Sequence, residues 1–357
     1  MRELQRLPTP PALRHKTGMI PAFLGLEGPT LTSRERDLFR AANPAGYILF
    51  RRNIETPDQL RALTDSLRTL SGNSRLPILI DQEGGRVARL RPPHWPEYPA
   101  PCAFAAIWNK APITAMAAAR ANAQSLGLLL AGLGISVDCL PLLDVEAPGM
   151  HDVIGDRSYG PDPVTVASLG RATLDGLQAG GCVGVVKHIP GHGRATADSH
   201  LDLPIVTASA EELETDLIPF RRLADAPMAM TAHVIYTAWD SERCASLSPT
   251  IIATIIRQSI GFDNLLMSDD LCMQALSQQP GGNHMGSRAT GVIAAGCDIA
   301  LHCSGDFAEM EAVAAALPPI SETALARLTR AMDWAGTPAG TADALAARRD
   351  ALTTAAL

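Results

Sequence analysis

The segment from Lys187 to His200, KHIPGHGRATADSH, concentrates groups that can move protons. Asp198 and His200 flank Ser199. In an extended loop, residues i and i+2 point the same way, so the carboxylate can hold the imidazole in one tautomer and stabilise its cation. The pair reads as an acid/base dyad, since an imidazole with an unperturbed pKa of roughly 6.5 can give and take a proton near neutrality. A metal site is the alternative, because His188, His192, Asp198 and His200 are acceptable ligand types. Against it, the HxxxH spacing falls on a Pro-Gly loop, not on a helix where i and i+4 share a face.

Similar clusters recur where apolar runs end. Leu76 to Ile80 leads into Asp81-Gln82-Glu83-Gly84-Gly85-Arg86-Val87-Ala88-Arg89, and another run ends in Met267-Ser268-Asp269-Asp270-Leu271. A third ends in Thr231-Ala232-His233, and Asp144 and Gly155-Asp156-Arg157-Ser158-Tyr159 follow a fourth. Ionisable groups directly after apolar strands are costly to leave unpaired, so five such junctions together indicate one polar pocket. Capping of a following helix explains any single one of them, and Asp270 reads that way, as an acidic residue in favourable contact with a helix start. His192 reads as a brace of its own loop.

These junctions need a scaffold that gathers strand ends. Short apolar runs alternate with segments of helical period from Met19 onward, the pattern of repeated βα units. The expected strands are Met19–Leu24, Gly46–Phe50, Leu76–Ile80, Ile135–Cys139, Cys182–Val186, Pro227–Thr231, Asn264–Met267 and Asp298–Leu301. Helices are expected around Ser33–Ala42, Pro57–Leu70, Ile113–Ala131, Pro163–Ala179, Ala210–Ala224, Pro249–Ser259 and Arg288–Ala295. Thr56-Pro57, Asp162-Pro163 and Ser248-Pro249 supply starts of the kind helices prefer. Because the runs are apolar without alternation, both strand faces should be covered. The pattern favours a (β/α)₈ TIM barrel as a single domain over an open sheet of six or seven strands. Residues 1–17 form an N-terminal arm, 18–317 the catalytic barrel, and 318–357 a helical extension packed on it, broken near Gly336 and Gly340.

Composition narrows the function classes. A net charge of −7 at pH 7 gives no broad attraction to nucleic acid or anionic lipid. No apolar stretch reaches the roughly 18 residues of a membrane span, and the N-terminus lacks the apolar core of a secretory signal. The seven cysteines are scattered without a CxxC pair, which reads as buried free thiols in a reducing compartment. The expectation is a cytoplasmic enzyme, monomeric, with no nucleic-acid or membrane partner and no cofactor or catalytic metal.

The ordered set GYILFRRNI, DQEGGRVARL, GDRSY, KHIPGHG followed by DSH, TAHVIY and SDDL resembles glycoside hydrolase family 3, in particular its single-domain β-N-acetylglucosaminidases of peptidoglycan recycling. The likeness runs from about Gly18 to about Ser304, with Ile189 where phenylalanine is commoner and Cys244 where a proline often stands. It implies the same barrel and a double displacement with Asp269 as nucleophile. It also implies His200, oriented and stabilised by Asp198 on a mobile loop, as acid/base. Sugar-binding positions match Asp81, Arg89, Arg157, Lys187 and His188. The implied substrate is a small muropeptide or amino sugar carrying terminal β-linked N-acetylglucosamine, released with retention.

Chemistry is consistent with these roles. Asp81 can accept from sugar hydroxyls, while Arg89, Arg157 and Lys187 donate. His233 is placed either against the sugar or as a satisfied structural histidine. A neutral imidazole, unlike a carboxylate, does not repel an incoming anion, so phosphorolysis stands beside hydrolysis. A metal-dependent hydrolase on the same barrel and a non-catalytic amino-sugar sensor complete the alternatives. The dyad loop is expected to close before catalysis, so that His200 can stand away from Asp269 in the empty enzyme.

Overall fold

The computed structural model describes residues 18–199 and 201–356, so the arm to Thr17 and His200 lie outside the described residues. Ten strands occur in the order β1 (Ile20–Leu24), β2 (Pro44–Leu49), β3 (Ile78–Ile80), β4 (Val137–Asp138), β5 (Val183–Ile189), β6 (Ile205–Val206), β7 (Met228–Thr231), β8 (Ile235–Tyr236), β9 (Leu265–Asp270) and β10 (Ile299–His302). All except β6 and β8 close into one parallel barrel, sealed where β1 pairs with β10 through Ala22↔Ala300 and Leu24↔His302. The chain is a (β/α)₈ TIM barrel, and each of the eight expected runs supplies one of its strands.

The absence of alternation in those runs has a direct cause. Phe23, Ile48, Leu79, Val137, Val185, Met228, Met267 and Leu301 fill the barrel interior as one cluster. Their strand neighbours Ala22, Leu24, Leu49, Ile78, Val186, Leu266 and Ala300 face outward into a second cluster beneath the helices. Over these positions period 2 therefore divides two apolar environments, so hydropathy does not alternate along them.

The helices are α1 (Ser33–Ala42), α2 (Pro57–Ser71), α3 (Cys102–Trp108), α4 (Pro112–Gly132), α5 (Pro163–Ala179), α6 (Ala210–Arg222), α7 (Met285–Ala295), α8 (Phe307–Ala316), α9 (Glu322–Asp333) and α10 (Ala342–Ala356). The proline starts act as the sequence implies: Thr56 accepts from the Gln59 amide with Pro57 in the first turn, and Asp162 accepts from the Thr165 amide at 2.9 Å. Ser248 likewise accepts from Ile251 N–H at 3.1 Å, opening a helical segment that winds as a π-helix over Ile251–Ser259. Helix α3 and the two-stranded β6–β8 ladder were not anticipated, being too short for a periodic signal.

The C-terminal helices close one end of the barrel and cover one side. Leu328 and Ala331 of α9 join the interior cluster, and Arg327 donates to Asp298 Oδ1 at 2.9 Å at the entry to β10. α10 lies along α4, where Arg349 donates to Asn122 Oδ1 at 3.0 Å and Ser125 to the Ala342 carbonyl at 2.8 Å. With the N-terminal end plugged, the opposite mouth, where the polar junctions lie, remains open.

Candidate active site

Strand β5 carries the charge at the centre of the mouth. Its register against β7 shifts between Lys187 and Ile189, so the alternation of side chains breaks there and consecutive Lys187 and His188 both line the same cavity. Lys187 is buried, with Nζ 2.7 Å from Glu83 Oε1 and 3.1 Å from Asp81 Oδ1. Arg89 completes Asp81 at 3.0 Å on Oδ2. Arg157 makes a two-pronged pair with Glu83, 2.8 Å from each carboxylate oxygen.

Burial drives both carboxyls up, but the cations outweigh it: Lys187 and Arg89 hold Asp81 well below the usual carboxylate range, and Arg157 with Lys187 lowers Glu83 to about 2. The cations respond in kind. Burial alone would lower Lys187 and Arg157, yet the facing carboxylates raise both. The wall is thus an ionised network with its members fixed by one another.

The loop after β5 is pinned to the loop after β4. Asp144 Oδ1 accepts from the backbone N–H groups of His188 and His192 at 3.1 and 2.7 Å, and its Oδ2 meets His188 Nδ1 at 2.8 Å. Against burial, His188 and His192 bring Asp144 down to about 2. His192 packs edge-on to His188, and burial together with the His188 charge lowers it to about 4 despite Asp144 and Asp269, so it is neutral near pH 7. Gly193 is required at this seam, because a Cβ there would sit 1.8 Å from the Val145 carbonyl oxygen.

Asp269 stands at the end of β9, 5% exposed, with Oδ1 accepting the Asp270 N–H at 2.8 Å. Asp270 is not a helix-start contact as the sequence suggests. It still belongs to β9, and its Oδ1 accepts from Cys272 N–H at 2.9 Å and Cys303 N–H at 3.1 Å, tying the ends of β9 and β10 together. His233 is structural: Nδ1 meets Ser246 Oγ at 2.6 Å and Nε2 the Asp270 carbonyl at 3.0 Å. Both ring nitrogens are engaged, and the residue braces the end of β9.

Asp81, Arg89, Arg157, Lys187, His188, Asp198 and Asp269 line one cavity of about 500 Å³. His200 falls outside the described residues, and with it the expected separation from Asp269. Its neighbour Ser199 is buried, and its carbonyl accepts from Ala275 N–H at 3.2 Å, which connects the dyad loop to the segment after β9.

Two central groups were missed as site residues, Glu83 and Asp144. Both occupy strand-end junctions that the sequence had marked as polar, and nothing there distinguished them from the residues chosen. Cys102 corrects another expectation: it is exposed at the start of α3, whereas Cys139, Cys182, Cys244, Cys297 and Cys303 are buried and Cys272 is intermediate. The short helix turns its first residue outward.

The glycosyl hydrolase family 3 N-terminal domain matches residues 19–331. A β-hexosaminidase of Alkalilimnicola ehrlichii is 40% identical over 320 residues, covering 86% of this chain and 88% of that protein. One from Bordetella avium is 36% identical over 287 residues, 80% of each chain. The crystal structure of NagZ from Neisseria gonorrhoeae in complex with N-trifluoroacetyl-D-glucosamine superposes with a TM-score of 0.83 at 32% identity, covering 96% of this chain and 99% of that one.

Proposed function

The chain belongs to glycosyl hydrolase family 3 and is a β-N-acetylhexosaminidase, and from that premise we propose that it removes terminal β-linked N-acetylglucosamine from peptidoglycan fragments by double displacement. The substrate in this reading is N-acetylglucosaminyl-1,6-anhydro-N-acetylmuramic acid, with or without its peptide, processed in the cytoplasm by a monomer. No helix among the described residues is long and apolar enough to cross a membrane.

The observation that carries the reading is the cavity itself, in which the Asp269 carboxylate shares about 500 Å³ with the ionised wall of Asp81, Arg89, Arg157 and Lys187. Asp81 accepts from a ring hydroxyl, and Lys187, Arg89 and Arg157 offer donors to hydroxyls and the N-acetyl carbonyl. So placed, the sugar presents its anomeric carbon to Asp269. The carboxylate forms a covalent glycosyl-enzyme while His200, steadied by Asp198, protonates the leaving oxygen. His200 then takes a proton from water, which opens the intermediate, and two inversions return the β configuration.

Phosphorolysis requires a second anion in the same cavity. The three cations of the wall are each already paired with Asp81 or Glu83, which favours water as the acceptor. The test is release of N-acetylglucosamine from the anhydro-disaccharide, followed by proton NMR in phosphate and in phosphate-free buffer. Free β-anomer as the first product in both supports the reading, while α-anomer or sugar phosphate refutes it. An equal rate on the β-glucoside would remove the N-acetyl requirement.

A further inference from the structure

Beside the cavity, at the ends of β9 and β10, Cys272, His302 and Glu309 converge from three places in the chain. Among the described residues this is the one group of three or more metal-capable side chains whose ligand atoms all lie within 4.8 Å of one another. Cys272 Sγ is 3.8 Å from Glu309 Oε2, and His302 Nε2 is 3.1 Å from the same oxygen. None of the three lines the sugar cavity.

From this geometry we infer that Cys272, His302 and Glu309 form a binding site for a thiophilic divalent cation of the zinc class. Zinc takes cysteine, histidine and carboxylate ligands tetrahedrally with bonds of about 2.0 to 2.3 Å, which sets ligand atoms about 3.3 to 3.6 Å apart. Two edges of the triangle already stand near that length. The Cys272–His302 edge is at most 4.8 Å long, so it has on the order of 1 Å to close.

The charges suit a cation as well. A thiolate and a carboxylate neutralise a divalent ion, and the imidazole stays neutral, so the ligated cluster carries no net charge into a partly buried site. The two nearby guanidiniums have other partners: Arg52 donates to the Leu26 carbonyl at 2.7 Å, and Arg288 to the Leu271 carbonyl at 2.7 Å. Arg288 lies near enough to act on Cys272 and Glu309 through space, and these hydrogen bonds direct both guanidiniums to backbone carbonyls. Ser304 Oγ lies 2.5 Å from Glu309 Oε2 and 3.1 Å from His302 Nε2, close enough to supply or orient the fourth ligand. His302 is fully buried and Glu309 is 38% exposed, so the ion enters from the Glu309 side.

Ligation would join the segment just after Asp269 and Asp270 to α8. Because Asp270 holds the Cys272 amide, the cation would brace the nucleophile strand without touching sugar. This is a positioning site.

Titration of the metal-stripped protein with Co²⁺ tests it. The parent should bind one equivalent with a thiolate-to-cobalt charge-transfer band, unchanged when N-acetylglucosamine saturates the cavity. Cys272→Ser should lose the band, His302→Gln should weaken binding at least tenfold, and Cys303→Ser should keep the band. No band in the parent, a band surviving Cys272→Ser, or displacement by the sugar overturns the inference. Should Cys272→Ser not fold, as judged by near-ultraviolet circular dichroism, the His302→Gln titration decides: unchanged affinity there overturns it equally.

Discussion

The two halves of the candidate site are built on unlike supports. Asp269, Lys187 and His188 sit on barrel strands, and the wall around them is a closed set of ion pairs with Asp81, Glu83, Arg89 and Arg157. Asp198 belongs to a turn-rich loop whose next residue but two, Leu201, is 77% exposed, and which ties to the segment after β9 through Ala275 N–H to Ser199 O and Gln278 Nε2 to Asp202 Oδ1. The lesson is a division of labour. Under the proposed mechanism, the carboxylate that would attack the anomeric carbon is held by a barrel strand, and Asp198 of the proposed acid/base pair lies on a loop outside the barrel.

Substitutions can break that contrast from its strongest side first. Asp269→Ala should lower kcat/KM on a chromogenic β-N-acetylglucosaminide by roughly 10⁴-fold or more while leaving thermal unfolding close to that of the parent. Glu83→Gln should lower stability as well as activity. It removes one carboxylate shared by buried Lys187 and Arg157, so it should cost about 3 to 5 kcal/mol in a denaturant titration.

The same variant should change acid sensitivity. Glu83 is lowered from 4.5 to about 2, so its stabilising contribution is present above pH 4.5 and disappears as the pH falls towards 2. Stability measured across that window should be flatter in Glu83→Gln. Asp144, lowered from 3.8 to about 2, keeps part of the slope in both proteins.

On the loop side, Asp198→Asn should reduce kcat by about 10²- to 10³-fold with little change in stability, measured by paired kinetics and melting curves. The smallest effect belongs to Leu201→Ser, whose side chain lies mostly in solvent; its unfolding free energy should stay within about 0.5 kcal/mol of the parent. A large loss there would erase the contrast between wall and loop.

Much of this architecture was legible in the residues because βα repetition leaves a coarse signal. Ser33–Ala42 and Pro163–Ala179 form helices with the bounds their periodicity implies. The barrel strands were found as apolar runs for the same reason that they lack alternation: interior and exterior are both apolar. Cys102–Trp108 escaped because seven residues make barely two turns. Within the site, strand-end position marked the polar junctions, and the family resemblance picked out seven groups there and on the dyad loop that line one cavity. Partnership did not follow from type: Asp270 pairs across strands where a helix contact was expected, and Glu83 anchors two cations that sequence assigned to the sugar alone. Such pairings depend on neighbours distant in sequence, 33 positions apart for Asp270 and Cys303 and 74 for Glu83 and Arg157.

The central claim is that Asp269 attacks the sugar. Incubation with a slow, fluorinated β-N-acetylglucosaminide followed by proteolysis and tandem mass spectrometry addresses it directly. The account predicts one equivalent of glycosyl ester on Asp269, absent from Asp269→Ala. An adduct on Asp270 or any other residue, or turnover without an adduct and with inverted product, would contradict it.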